Sequence, residues 1–310
     1  MGKYTVITGQ NLYDIALHIY GSIEGIVDLL MNNPDLSLCD NLKNGDILEY
    51  TDGLIINEDI IVYNRMNGIV PSNNERNVYP KFSSKPQLCE VQLKSERTFV
   101  EFNIHATCEI DIDWGDNSPM ESITLSNKEL RLYHAFDNQC KGNRIIRIYG
   151  NGLFKVIDWN SLNPLHIYPY KPIKSEKLYA QNFTTSLDFL ILFDGLYEIS
   201  LHKLKTDNLL PLIYQTKLKE LDLTDAKISR IIIDEYLIGL VNNYENRRNC
   251  HIIFSTEPTG EFKEPSRDAD NKYILRSGME AVWVILNEPA WNEAGKWIFT
   301  IKDQIYTYNK

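Results

Sequence analysis

The first 53 residues carry the apolar pattern that most constrains the fold of this chain. Residues 4–7 have the composition of a β-strand, and two helical stretches follow, over residues 11–20 and 22–33. A turn and a second short strand are predicted over residues 42–50. In each helix, apolar residues recur three and four positions apart and so share one face. These stripe residues are Leu12, Ile15, Ala16 and Ile19 in the first helix, and Ile23, Ile26, Val27 and Leu30 in the second.

Residues that begin and end helices stand where this order of elements requires them. Asn11 is the predicted N-cap of the first helix, and Gly21 is suited to end it in the left-handed conformation. Ser22 is suited to cap the second helix, which Pro34 cannot continue because proline has no amide hydrogen to donate. The predicted order is strand, helix, helix, strand.

The fixed positions of this segment resemble those of a LysM domain. They are Tyr4, Val6, Gly9, Gln10, Leu12, Asp14, Ile15, Ala16, Tyr20, Gly21, Leu30, Asn33, Leu42, Gly45, Asp46 and Leu48. The combination of Asp14-Ile15-Ala16 with Tyr20-Gly21 is most similar to LysM domains of bacteriophage tail and baseplate proteins, and residues 57–71 resemble the same context. The alternative interpretation is a pair of helices flanked by two strands, with no inherited function.

The resemblance to LysM domains implies a position for a carbohydrate groove. In that family, N-acetylglucosamine polymers lie between the loop after the first strand and the loop after the second helix. The corresponding candidate residues are Gly9, Gln10, Asn11, Asn32, Asn33, Asp35 and Leu36. Asn and Gln amides can bond acetamido groups, but neither loop offers an aromatic ring for a sugar to stack on.

Changes in composition predict the boundaries that follow. Residues 1–53 form the LysM-like domain, and residues 54–87 form a connector that becomes polar near residue 70. Residues 88–152 contain short alternating strands, over 99–104, 108–114, 122–125, 131–136 and 144–150. This spacing is typical of an antiparallel sandwich.

The turn Trp114-Gly115-Asp116, with residues 133–136 and 146–150 behind it, resembles that of a PKD-like, immunoglobulin-type domain. Glu109, Asp111 and Asp113 share one face of the strand before this turn, because side chains alternate along a strand. A calcium site is one interpretation of these carboxylates with Asp116. Calcium ligands usually come from loops that wrap the ion, so we favour a solvated acidic face.

Residues 153–255 contain a repeat. Leu196-Tyr197-Glu198-Ile199-Ser200-Leu201 recurs 22 positions later as Leu218-Lys219-Glu220-Leu221-Asp222-Leu223, and residues 153–158 are a degenerate earlier copy. The spacing resembles that of leucine-rich repeats, in which each unit adds one strand to a stacked core. Thr224-Asp225 stands where the usual asparagine of that family would fall. The alternative is an unrelated succession of strands and helices.

Residues 256–310 are predicted to form a loop, a helix over 277–287, a turn and a terminal hairpin over 297–308. Trp283, Trp291 and Trp297 suit a sugar or partner platform, but core packing is the favoured interpretation. The fold class predicted for the whole chain is therefore multidomain α+β. It combines a βααβ LysM-like domain, an antiparallel β-sandwich and a short slab similar to leucine-rich repeats, followed by this C-terminal helix and hairpin.

No catalytic, metal-binding or cofactor motif is found, so we expect a protein that is not an enzyme. Gly-x-Ser-x-Gly, His-Glu-x-x-His and P-loop patterns are absent from the sequence. The six histidines are isolated, and Glu288 lacks the second carboxylate that a glycosidase needs. The five cysteines are widely spaced without Cys-x-x-Cys, which favours reduced thiols over a metal site.

The charge of the chain bears on its partners. The formal net charge is −10, and residues 1–53 hold two lysines against eight acidic residues. An acidic surface repels phosphate backbones, so nucleic acid is not an expected partner. No apolar run is long enough to span a membrane, and the N-terminal residues do not resemble a secretion signal. We therefore expect assembly in the bacterial cytoplasm, and then a place in a phage particle.

Two functions are consistent with these patterns. The first is a structural component of a phage or prophage-derived tail or baseplate, in which the LysM-like domain docks to other proteins of the particle. The second is a cell-wall or adhesion protein that binds peptidoglycan or other N-acetylglucosamine polymers. The absence of a secretion signal and of groove aromatics favours the first.

Overall fold

The computed structural model describes residues 1–38, 40, 42–72, 80–136, 144–244 and 247–308. They divide into two compact units, an N-terminal unit that ends with residue 72 and a larger unit that begins at Pro80. The protein is a mixed α+β protein, mostly sheet with a few helices, which confirms the predicted class at that level. Within the described residues, no helix combines the length and apolar character needed to cross a membrane.

The N-terminal unit has the predicted order of elements, followed by one more helix. Its elements are β1 (Gly2–Thr5), α1 (Leu12–Tyr20), a 3₁₀ turn (Ile23–Gly25), α2 (Ile26–Asn32), β2 (Ile47–Tyr50) and α3 (Glu58–Met66). The two strands pair antiparallel. The core consists of Val6, Leu12, Ile15, Ala16, Tyr20, Leu29 and Leu48. The helix α3 lies inside the segment predicted as a connector, and it buries none of its residues.

The predicted caps of α1 are confirmed. The Asn11 side chain accepts a hydrogen bond from the Asp14 amide at 2.9 Å, and the Asp14 carboxylate accepts one from the Asn11 amide at 3.0 Å. This reciprocal pair satisfies donors that the first turn of a helix leaves free. Gly21 ends α1 with φ +69°, in the left-handed region that glycine adopts without strain.

The predicted stripe of the second helix is confirmed for Ile26 and Leu30, which are partly buried against the core, and wrong for Ile23 and Val27. Leu29 is the residue of α2 that is buried, whereas Ile23 and Val27 are exposed. The physical reason is the 3₁₀ turn that precedes α2, because three residues per turn place side chains differently from 3.6. Ile23 and Val27, which periodicity assigned to the core, therefore face outward.

In the larger unit, 13 strands of the described chain join in one sheet. The strands before residue 152 are β3 (Gln87–Leu93), β4 (Phe99–Asp113), β5 (Glu121–Ala135) and β6 (Arg144–Gly150). The later ones are β7 (Leu153–Asp158), β8 (His166–Pro169), β9 (Ile173–Gln181), β10 (Phe193–Asp194), β11 (Glu198–His202), β12 (Glu220–Leu223), β13 (His251–Phe254), β14 (Ile298–Ile301) and β15 (Gln304–Thr307). The main path runs β15-β14-β13-β12-β11-β9-β7-β4-β6-β3-β8, with β10 on β9 and β5 on β4.

The strand β4 joins the antiparallel and parallel parts of this sheet. One of its edges pairs with β5, and the other pairs with β7 over Asn103–Ala106 and with β6 over Ile110–Asp113. The prediction of separate short strands over 99–135 is wrong, since β4 and β5 each run for 15 residues. A register shift after Ala106, which lets a long strand bend without ending, replaces the predicted break.

The repeated segments form neighbouring parallel strands. Ile199 of β11 lies opposite Leu221 of β12, which matches the 22-residue spacing of the two copies, and Leu221 in turn lies opposite Ile252 of β13. These residues are buried on one face of the sheet, while alternate residues lie on the other. The predicted boundaries at 152/153 and 255/256 fall between strands of this one sheet, and the strands share one core.

Helices cover the buried face of the parallel strands. They are two 3₁₀ helices (Asp188–Leu192 and Leu210–Tyr214), α4 (Arg230–Asn242), α5 (Gly278–Asn287) and α6 (Pro289–Asn292). The helix α5 and the hairpin β14–β15 match the C-terminal prediction, although α6 replaces part of the predicted turn. Trp291 and Trp297 are buried with ring centroids 5.3 Å apart, which confirms core packing for these two tryptophans.

Candidate docking surface and the predicted carbohydrate groove

Gln10, the central residue of the first predicted groove loop, is buried and fully engaged. Its side chain is 1% exposed. The Oε1 atom accepts a hydrogen bond from the Ile7 amide at 3.1 Å, and Nε2 donates to the Tyr4 hydroxyl at 2.9 Å and to the Pro71 carbonyl at 3.1 Å. The amide therefore holds the loop to the rest of the unit and is not presented to a ligand.

The other two residues of this loop also serve the local fold. Asn11 caps α1, as described above, so its side-chain oxygen is occupied by the Asp14 amide. Gly9 has φ +86°, which allows the chain to turn between β1 and α1.

In the second predicted loop, Asn33 ties α2 to β2. Its Nδ2 atom donates to the carbonyls of Leu29 and Glu49, both at 2.8 Å, and its Oδ1 atom accepts from the Glu49 amide at 2.9 Å. The Asn32 side chain donates to the Thr51 hydroxyl at 3.3 Å. The amides of this loop are thus bonded within the unit.

The remaining groove candidates are Asp35, which is exposed, and Leu36, which is partly buried against the N-terminal core. The hydrogen bonds of the two loops described above have no partner in common. The loops are each anchored separately, and Asp35 is the candidate whose side chain is left most open to solvent.

Asp28 anchors β2 and the chain after it to the helices. Its carboxylate accepts hydrogen bonds from the Tyr20 hydroxyl at 2.7 Å and from the Thr51 amide and hydroxyl at 2.8 and 2.6 Å. Partial burial opposes ionisation, but the hydrogen bonds from Thr51 and Tyr20 outweigh it and lower the pKa of Asp28. Burial, with the same bond to Asp28, raises the pKa of Tyr20.

The outer face of the 3₁₀ turn and α2 is apolar and exposed. Ile23, Val27 and Met31, spaced four residues apart, are 56%, 59% and 77% exposed, and we call them the α2 stripe. Four apolar side chains of α3 are exposed as well: Ile60, Val62, Tyr63 and Met66. Exposed apolar groups at such a density mark interaction surfaces in soluble proteins.

The N-terminal unit holds about a quarter of the described residues but a larger share of the exposed apolar side chains. Of the 33 large apolar side chains exposed in the described chain, 17 lie in this unit and 16 in the larger one. Sequence periodicity missed this surface because it assigned Ile23 and Val27 to the core. Residues 22–33 contain more apolar residues than one buried face of a short helix can hold, and this surplus could have indicated an exposed apolar surface.

The prediction of a solvated acidic face is wrong for Asp111, Asp113 and Asp116, which are buried, whereas Glu109 is exposed. Asp113 is 0% exposed, and its carboxylate contacts the Lys81 ammonium at 3.1 Å and the Arg147 guanidinium at 3.2 Å. Asp111 pairs with Lys85 at 2.7 Å, and this contact lowers the pKa of Asp111. The cationic partners lie on other segments of the chain, so the spacing of the carboxylates alone did not reveal them.

Carboxylates that are already paired with lysine and arginine do not suit calcium, which needs free oxygens. Over the described ranges, no group of three His, Cys, Asp or Glu side chains is arranged to hold a metal ion. Cys89 and Cys250 are buried, and burial raises the pKa of each thiol to about 12. Cys39 and Cys140 lie outside the described residues, as does the polar stretch 73–79 of the connector.

Two histidines have carboxylate partners that the sequence did not indicate. His134 lies 2.7 Å from Asp116 and stacks on Trp114, and His202 lies 2.8 Å from Asp222 on the next strand. No serine, threonine or cysteine of the described chain is hydrogen bonded to either imidazole. Glu288, the lone carboxylate near Trp291, accepts from the Tyr273 hydroxyl and pairs with Arg267 at 3.4 Å.

No protein-family model, no curated protein and no solved structure matches this chain. The resemblances to LysM, PKD-like and leucine-rich repeat domains therefore rest on the motifs of the sequence.

Proposed function

We propose that this chain is a non-enzymatic interaction protein whose N-terminal unit docks to another protein through the α2 stripe. The observation that carries the proposal is the exposure of Ile23, Val27 and Met31 on one helical face. Full burial of an exposed apolar side chain of this size is worth about 1.5–3 kcal/mol, and these three side chains have more than half of that exposure left to lose. Burying them against a partner recovers that free energy.

The net charge of the N-terminal unit restricts the kind of surface that a partner can present. Residues 1–53 carry six more acidic than basic residues, and Glu24 and Asp28 stand beside the α2 stripe in sequence. A complementary partner has an apolar groove with a basic rim. The similarity of residues 1–53 to LysM domains of tail and baseplate proteins makes such a particle protein the partner we propose.

Binding of peptidoglycan by the predicted groove is the less supported function. It requires free amide groups, and the side-chain amides of Gln10 and Asn33 and the side-chain oxygen of Asn11 are bonded within the unit. It also lacks an aromatic residue in either loop.

The proposal is tested with particles purified from a host that encodes this gene. In the full chain, Val27→Asp places a charge in the α2 stripe without touching the core, and we expect it to be missing from the particles. Ile231→Asp is the matched control, because Ile231 is an exposed apolar residue of α4, 66% exposed, outside the N-terminal unit. Incorporation of both variants at wild-type levels would overturn the proposal.

A second arm measures retention of the full chain on insoluble peptidoglycan and chitin. We expect no retention by wild type. Retention that is lost in Asp35→Ala but kept in Val27→Asp would instead establish the groove as the functional surface.

A further inference from the structure

A groove of about 570 Å³ opens in the larger unit, between the 3₁₀ helix Leu210–Tyr214 and the C-terminal end of α4. Leu210 and Ile213 of the 3₁₀ helix give it an apolar wall, and Thr216, Asn242 and Asn243 add polar side chains to the lining. Tyr214 and Tyr244 are both exposed at its rim. A groove of this size holds one or two side chains of a peptide, and exposed tyrosines are typical of protein interfaces.

Arg247 lines this groove, and no carboxylate among the described residues pairs with it. Its Nε atom donates to the Asn243 carbonyl at 2.7 Å, and Nη2 donates to the Ile213 carbonyl. A guanidinium has five N–H donors, so these contacts leave three for a ligand. None of the described lining residues is acidic. Burial of the guanidinium, the largest cause, lowers the pKa of Arg247.

The combination of one guanidinium and an apolar wall defines the chemistry of the ligand. A carboxylate carries one negative charge and matches the fork of an arginine with two parallel hydrogen bonds. A phosphate dianion would exceed the single positive charge of Arg247 and leave uncompensated charge beside apolar side chains. The apolar wall and the two tyrosines require an apolar group next to the anion.

We propose that this groove binds a peptide segment of a partner protein in which an apolar side chain stands beside an aspartate or glutamate. The acidic side chain bonds the free N–H groups of Arg247. The apolar side chain packs on Ile213 and Leu210 between Tyr214 and Tyr244. This site lies within the larger unit and does not depend on docking by the α2 stripe.

The first test uses the full wild-type chain and two blocked tetrapeptides that differ in one group. Acetyl-Gly-Phe-Asp-Gly-amide presents the carboxylate, and acetyl-Gly-Phe-Asn-Gly-amide is its neutral match. Titration calorimetry or ligand-observed NMR measures both affinities. We expect the Asp peptide to bind about tenfold or more tightly than the Asn peptide, the effect of one charge-assisted pair. Equal affinities, or no binding by either peptide at millimolar concentration, would overturn the proposal.

The second test changes the protein. Arg247→Gln is expected to reduce affinity for the Asp peptide to that of the Asn peptide, whereas Arg247→Lys retains part of the difference because it keeps the charge without the fork. Arg248→Gln is the matched control, since Arg248 is exposed and is not a lining residue. An unchanged preference for the Asp peptide in Arg247→Gln would contradict the assignment.

Arg247 also bonds two backbone carbonyls, so tryptophan fluorescence of each variant checks that the larger unit is folded. All five tryptophans lie in that unit. The comparison of the two peptides on wild-type protein tests whether the groove binds a carboxylate even if a variant fails to fold. A third arm offers glucuronate, a carboxylate on a sugar. Binding of glucuronate with dependence on Arg247, and none of the Asp peptide, would mean a glycan site and would refute the peptide proposal.

Discussion

The two units of this chain treat their apolar side chains in opposite ways. In the larger unit, strand after strand presents one buried face, as Leu178, Ile199 and Leu221 show, and helices cover that face. In the N-terminal unit, seven residues form the core, while the α2 stripe and most of α3 face water. The larger unit therefore buries most of its apolar residues in its own core, and the N-terminal unit leaves many of its apolar residues exposed, which is the basis of the proposed docking.

The two units also differ in how many hydrogen-bonding groups of their polar side chains are left unused. The loops that the LysM resemblance marks as a groove are held by bonds of Gln10 and Asn33 within the unit. In the larger unit, Arg247 retains N–H donors to which no other described residue is hydrogen bonded. A polar residue at a motif position therefore does not by itself indicate that its hydrogen-bonding groups are available to a ligand.

The largest expected loss of stability follows from a substitution in the core of the parallel strands. Leu221 is completely buried in β12, so Leu221→Ala should lower the free energy of unfolding by about 2–5 kcal/mol through lost burial and a cavity. Tryptophan fluorescence during urea unfolding measures it, because every tryptophan lies in the larger unit. A change below about 1 kcal/mol would mean that the strands do not share the single core described.

A smaller effect is expected at Asn33. Asn33→Ala removes two hydrogen bonds to Glu49 of β2 and one to the Leu29 carbonyl of α2, and should destabilise the N-terminal unit by about 1–3 kcal/mol. Amide hydrogen exchange in α1 and α2 of the full chain reports it. Asp35→Ala, in the same loop, is the control and should change exchange little, because Asp35 is exposed. Equal exchange rates in the two variants would contradict the structural role assigned to Asn33.

Asp28 gives the N-terminal unit a dependence on pH. Its pKa in the folded chain lies below the ordinary value of 3.8, so its contribution is fully present above that value. As pH falls through the lowered pKa, the carboxylate becomes protonated and that stability is lost. Asp28→Asn should cost about 1 kcal/mol at neutral pH, the value of a partly exposed charge-assisted bond.

Hydrogen exchange in α1 and α2 at pH 7 and at pH values below 4 measures this loss. Wild type is expected to lose protection on acidification, and Asp28→Asn is expected to lose less. The same acid response in both proteins would show that another group is responsible.

The smallest effect on stability is expected at the α2 stripe. Val27→Ser should change the free energy of unfolding by no more than about 0.5 kcal/mol, because an exposed side chain has little packing to lose. Hydrogen exchange in α2 is the measurement, with Leu29→Ala as the buried contrast on the same helix. A large loss of protection in Val27→Ser would place Val27 in the core and remove the docking surface.

The sequence was sufficient for the local features whose signals are local. Asn11 and Gly21 predicted the ends of α1, and the 22-residue repeat predicted the pairing of β11 with β12. The outward turn of Val27 could not be read from periodicity, because a short 3₁₀ turn changes the phase of the stripe. The pairing of Asp113 with Lys81 and Arg147 depends on segments about 30 residues away along the chain, which spacing within one strand does not contain.

The most direct test of docking is hydrogen exchange of the full chain, free and in purified particles. Slower exchange over residues 23–31 in the particle, with no change over residues 8–11, is the predicted result. The protected segment would then coincide with the α2 stripe. Unchanged exchange over residues 23–31 in the particle would contradict the account, and protection confined to residues 8–11 and 32–36 would return the function to the carbohydrate groove.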